Sequence, residues 1–255
     1  AARVAAASVA RRLLEEIGIS IHSRAVTTGD QDGRAVATED VDWDAVEASE
    51  VRASDSDADE RFKIAIDKSK ADRTTIGGVF EVVAFGAPVG LGSHVHWDRK
   101  LDAKIAQAMM SINAVKGVEI GSGFANTRKP GREVQDVIEP DPSDPRKFSQ
   151  ITNHAGGIEG GMSNGNPIVV NVAIKPIATM TNPLPSVDIN TGEIAEAAYN
   201  RSDVCQVARA CTVGEAMLAL VLADVVLEKF GGDSVDEIKR NCAGYIESHQ
   251  AFGNG

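Results

Sequence analysis

Apolar residues recur along the chain with two spacings, and those spacings assign most of its elements. Val4, Val9, Leu13, Leu14 and Ile17 fall roughly on one helical face over residues 2–17, and Gly18 closes that helix. The alternation from Ile19 to Ser23 predicts a short strand. Phe62, Ala65 and Ile66 predict a helix ending near Lys70, and residues 79–85 an apolar strand closed by Gly86. Leu101, Ile105, Met109 and Ile112 form the apolar face of a helix that Asp98 can cap. Lys116-Gly117 is expected to end it, before a strand that starts at Val118-Glu119-Ile120. Residues 168–174 are a mostly apolar strand, and residues 185–188 read as a further strand. A long helix over residues 213–230 stops at Gly231-Gly232. Ser234 with Glu237 makes a capping box for a last helix, from Val235 to about Ser248, with a frayed tail.

Between these elements the polar stretches carry less information. Residues 38–60 are rich in Asp and Glu, with Trp43 as the one large apolar residue, and read as a solvated connection or edge insertion. Residues 126–147 form a Pro- and charge-rich loop holding Arg128, Lys129, Arg132, Arg146 and Lys147, able to close over an anion. Strands alternating with long helices, without the glycine fingerprint of dinucleotide folds, predict an α/β or α+β domain.

The totals narrow the partners. A chain of 255 residues can bury a sizeable core. Its net charge of −11 argues against nucleic acid or an anionic membrane as partner. Any anionic ligand must therefore be held by a local group of bases. Three cysteines without a Cys-x-x-Cys pair imply a reducing, cytoplasmic setting. No signal peptide or transmembrane span is read: the most apolar segment, residues 213–230, carries Glu215, Asp224 and Glu228 and reads as a buried helix. The chain opens without Met directly into a helical pattern, so a preceding N-terminal part is expected.

Four patterns bear on chemistry. Residues 152–179 crowd Gly156, Gly157, Gly160, Gly161 and Gly165 among Asn153, His154, Ser163 and Asn164, then lead through the strand to Lys175-Pro176. Such glycines either serve turn geometry or let backbone lie against a flat ligand. His94 and His96, two apart, would share one face of a strand, but no third metal ligand is indicated and no metal is assigned. His22 reads as an ordinary polar-face residue. In Asn200-Arg201-Ser202-Asp203-Val204-Cys205, an Arg two residues before an Asp sets a cationic fork beside a carboxylate; a plain ion pair is the alternative.

Together these motifs resemble the chorismate synthase family. The glycine stretch with Lys-Pro-Ile-Ala-Thr, the Trp-Asp-Arg-Lys-Leu-Asp and Lys-Gly-Val-Glu block, and Arg-Ser-Asp-Val-Cys occur in the family's order from Arg3 to about Tyr245. The resemblance implies an α+β sandwich, helices packed between antiparallel sheets, as one domain over residues 1–255. It implies a reduced-FMN-dependent 1,4-elimination of phosphate from 5-enolpyruvylshikimate 3-phosphate to give chorismate. NADP is an associated nucleotide, the assembly a homotetramer.

By the same resemblance Asn113, Ala114, Gly160 and Lys175, Pro176, Ile177, Ala178 and Thr179 hold the flavin. Arg201 holds flavin and anionic substrate, and Asp203 accepts a proton. Arg3 is the nearest remnant of an upstream Arg-rich segment. The family's Gly-Glu-Ser-His-Gly and Pro-Gly-His-Ala-Asp motifs do not occur, so none of the five histidines takes those roles. The chain departs from the pattern at Arg73, Thr74, Arg132, Gln135, Val137, Ala208 and Arg209. A flavin- or phosphate-binding module without activity, and a structural subunit whose glycines only make turns, are the competing readings.

Overall fold

The computed structural model describes residues 1–141, 144–199 and 203–250. The helices are α1 Ala2–Glu15, α2 Trp43–Ala48, α3 Ser56–Ala71, α4 Leu101–Met110, the single turn α5 Gly123–Asn126, α6 Val207–Phe230 and α7 Val235–Gln250. The strands β1 Ser20–Thr28, β2 Gln31–Asp32, β3 Gly78–Phe85, β4 Val115–Ile120 and β9 Ile168–Ile174 form one antiparallel sheet in the order β2-β1-β3-β9-β4. Three hairpins stand apart from it: β5 Ile138–Asp141 with β6 Asp144–Gln150, β7 Ile158–Glu159 with β8 Met162–Ser163, and β10 Pro185–Val187 with β11 Ile194–Glu196. This is the α+β class expected of the sequence.

The strand alternation decides where the core lies. Ile168, Val170, Val172 and Ile174 of β9 are buried, and Phe80, Val82 and Ala84 of β3 join them under the helices. Each such side chain contributes about 1.5–3 kcal/mol by leaving water. α6 lies over β1 and β3, with α1 and α4 on its flanks. It is long and apolar enough to cross a membrane, but it packs here as the core helix that its acids imply. Gly214 permits the close approach: a Cβ there would collide with the Phe80 ring and Val82.

Two buried polar groupings brace this sandwich. Glu215 of α6 accepts from Arg11 of α1 (2.6 Å), Ser23 of β1 (2.6 Å) and Arg52 (3.0 Å). A carboxylate this buried is tolerable only with such partners. On the opposite sheet face, Arg24, Glu81, Asn171 and Glu119 stand side by side across four strands, and Arg24 Nε donates to Glu81 at 2.8 Å.

Several expectations need correcting. Asp98 does not cap α4: its carboxylate binds His96 Nδ1 at 2.6 Å, and the Leu101 N–H donates instead to Gly161 O at 2.8 Å. His94 and His96 lie in the loop before α4 rather than on a strand. α4 ends at Met110, because Ala114 turns the chain with φ 68°, and Lys116-Gly117 lie inside β4 at a bulge. β1 runs on to Thr28, and α6 starts at Val207 rather than at residue 213. The acidic stretch is more than a solvated link, since it folds α2 under an Asp42 cap and buries Val46, Val51 and Ala53. His22 stacks on Trp43 at 5.0 Å between centroids, and burial pulls its pKa down. Residues 251–255 of the tail lie outside the described residues.

Candidate active site

The end of the sheet where β9 finishes gathers chain segments far apart in sequence. Val115 pairs with Ile174, so the turn at Asn113-Ala114 sits beside the exit of β9, and the Lys175 N–H donates to Ala114 O at 2.9 Å. The left-handed Ala114 is a strained non-glycine conformation, held by that turn. The Thr75 hydroxyl donates to Ile177 O at 2.6 Å, which ties residues 175–179 to the start of β3. The Ile76 N–H donates to Val204 O at 2.9 Å, so Asp203 and the N-terminus of α6 join the same end.

Beside these segments opens a cavity of about 500 Å³ whose walls include Ile112, Ile174 and Val213 together with Asn113, Gln206 and Asp203. Arg3 also faces it, with Nη1 donating to Ser111 Oγ at 3.0 Å and Ser111 O at 3.2 Å. Apolar walls with a few convergent amides and charges are what a flat heteroaromatic ligand with an anionic tail needs. The N-terminus of a 24-residue helix opens beside it, and its first-turn N–H groups favour negative charge there. Asp203 forms an ion pair with Arg209. A second cavity, of about 420 Å³, lies on the other side of that pair against Ile66, Lys70 and Cys205. Burial raises the pKa of Cys205, so the thiol beside the site stays protonated near neutral pH.

The sequence profile described as chorismate synthase matches residues 1–227. The chain belongs to the chorismate synthase family. Chorismate synthase from Frankia alni is 48% identical over 249 residues, which cover 97% of this chain and 63% of the relative. The Geobacter sulfurreducens chorismate synthase is 47% identical over 259 residues, covering 99% of this chain and 66% of that protein. The chain thus spans just under two thirds of these relatives' length. A crystal structure of chorismate synthase superposes with a TM-score of 0.83 at 40% identity, covering 98% of this chain and 69% of that one.

The polar groups of the chorismate synthase glycine stretch are bonded within it and to neighbouring loops. Asn153 accepts from the Gly157 N–H (2.8 Å) and donates to Pro167 O (2.8 Å). Ser163 donates to Pro88 O (2.6 Å) and accepts from the Leu91 N–H (2.8 Å). Asp136 accepts from Thr152 Oγ1 (2.6 Å), His154 N (2.7 Å) and Ala155 N (2.9 Å). Burial works to raise that carboxyl, but these hydrogen bonds hold it below the ordinary Asp value. Gly156 must be glycine: its φ is 65°, and a Cβ would strike the Gly121 backbone.

Of the residues assigned from the chorismate synthase resemblance, Asn113, Ala114, residues 175–179 and Asp203 come together at one end. Gly160 does not join them within one chain. It sits at the tip of the β7–β8 hairpin, beside the start of α4, whereas Asn113 and Ala114 follow the end of that helix, a length of roughly 15 Å away. Arg201 lies outside the described residues. Gln206 and Arg209 also line the cavity, and neither was assigned from the sequence. The signal available for Arg209 was its place six residues after Asp203, hidden by a helix start expected too late.

Proposed function

We propose that this chain forms the flavin- and substrate-facing part of a chorismate synthase, catalysing 1,4-elimination of phosphate from 5-enolpyruvylshikimate 3-phosphate. The observation that carries this reading is the convergence of Asn113, Ile174 and Asp203 on one cavity from three separate motifs. The cavity fits the group: its apolar walls suit ring faces, and its amide edges suit ring polar atoms. Bound reduced FMN would supply an electron transiently to an elimination at an unactivated position.

The chain's own residues then have separable tasks. Asn113 and the Ala114 backbone would hold the ring edge, and residues 175–179 the phosphate tail, with Lys175 as the cation. Arg201 would hold the anionic substrate through a two-pronged guanidinium contact. Asp203 would take up a proton on its carboxylate as phosphate leaves. A cytoplasmic lyase of aromatic amino-acid biosynthesis is the corresponding cellular role.

A homotetramer is part of the same proposal. Ile138 and Phe148 on one hairpin, and Val187, Ile189 and Ile194 on or beside another, are exposed. An isolated two-stranded hairpin is marginal in water, and an exposed apolar patch marks an interaction surface. Light scattering of the full-length protein is expected to give four subunits. The reaction is tested by supplying full-length protein with reduced FMN and 5-enolpyruvylshikimate 3-phosphate and measuring chorismate and phosphate in equal amounts. No chorismate under those conditions would overturn the assignment.

A further inference from the structure

The pair Asp203–Arg209 stands between the two cavities, and both residues line each of them. Their side chains are 50% and 74% exposed, so this is no buried structural clamp. The two ends of the pair are anchored very differently. Arg209 is the third residue of α6, between Val207, Ala210 and Cys211, all buried against the core, so its backbone is fixed. Asp203 lies in an irregular stretch before the helix, and among the described residues its carboxylate is held by one side chain, Arg209.

A cation in the first turn of a helix opposes the helix dipole, so Arg209 is badly placed as a stabiliser of α6 itself. Its position is well suited to gripping the carboxylate six residues earlier. The ion pair uses Nη1, which leaves the remaining guanidinium N–H groups to keep the fork oriented at the cavity wall.

We propose that Arg209 is a positioning residue: from the fixed start of α6 it holds the Asp203 carboxylate at the wall of the Asn113 cavity and keeps the two cavities apart. This rests on the role given to Asp203 under Proposed function. Removing Arg209 leaves Asp203 present but unaimed, which affects the chemical step and not ligand capture.

The test uses full-length protein with Arg209→Ala, Arg209→Gln and Arg209→Lys, each checked for folding by circular dichroism. For Ala and Gln, turnover at saturation is expected to fall roughly 10–100-fold, the scale of a misplaced catalytic group. KM and FMN affinity are expected to stay within about twofold, and Arg209→Lys or added guanidinium ion to restore part of the turnover. A readout without flavin accompanies it: carbodiimide labelling of Asp203, followed by peptide mass spectrometry, is expected to speed up several-fold in Ala and Gln. Unchanged turnover, or a loss confined to KM, overturns the positioning role. If Asp203→Asn is inactive while Arg209→Ala is normal, this inference fails and the functional reading stands. If wild-type protein makes no chorismate, the functional reading fails, and the labelling rate decides whether Arg209 holds Asp203.

Discussion

The two ends of β9 are built from opposite materials. At its start, the glycine-rich stretch is tied down by hydrogen bonds around a cavity of about 780 Å³: Asn153, Ser163 and, from the preceding loop, Asp136 each satisfy two or more backbone or side-chain partners. At its finish, Ile174, Asp203, Gln206 and Arg209 line open space, and the one charge pair among them is half exposed. The glycine-rich end is therefore the more densely hydrogen-bonded of the two, while the finish of β9 presents a half-exposed charge pair to its cavity. Saturated hydrogen bonding makes a rigid loop; spare donors and acceptors make a site.

That contrast breaks most sharply at Asp203. Asp203→Asn keeps shape and removes the proton-accepting charge, so turnover in full-length protein is expected to fall roughly 10²–10⁴-fold with the melting temperature unchanged. Normal turnover at saturation would remove Asp203 from the mechanism. At the other end the effect should reverse in kind. Gly156→Ala adds a Cβ against the Gly121 backbone in a left-handed conformation and is expected to cost about 2–4 kcal/mol. Urea unfolding reads this directly, and a midpoint equal to wild type would show that the loop gives way cheaply.

Asp136→Asn sharpens the same comparison with a smaller effect. It weakens three hydrogen bonds to one carboxylate, and a loss of about 1–2 kcal/mol near neutral pH is expected, without loss of flavin affinity. The folded carboxyl titrates below the unfolded one, so its contribution is full above the ordinary Asp value of 3.8. It is lost as pH falls through the lower, folded value. The variant should therefore lose less stability than wild type between neutral and strongly acid pH, and equal acid slopes would contradict this.

How much was legible follows from the same physics. Residues 168–174 and 79–85 were readable because one face of each is plainly apolar, and they became β9 and all but the first residue of β3. α3 was readable from its apolar spacing and α7 from the Ser234–Glu237 pair at its start. β1 was read too short because Arg24 interrupts its apolar run, and only the tertiary pairing with Glu81 lets that residue be buried. Asp98 looked like a cap because a nearby acid usually is one; His96 competes for it. The motifs stood out in the sequence, but that Gly160 lies at the start of α4 and Asn113 beyond its end is a matter of tertiary structure. The cavity residues Gln206 and Arg209 were hidden by the unexpected first turn of α6.

The buried Glu215 also constrains the order in which the chain can fold. Its partners Arg11, Ser23 and Arg52 precede it by 204, 192 and 163 residues. Until α6 arrives, Arg11 lacks its carboxylate, Arg52 has only Glu47, and α1 lacks the helix it packs on. Closure over such separations is slow, because loop entropy is spent before the contacts return it. On the ribosome, α1 and β1 must wait for α6, so refolding should run on the slow side and depend on an intact α6.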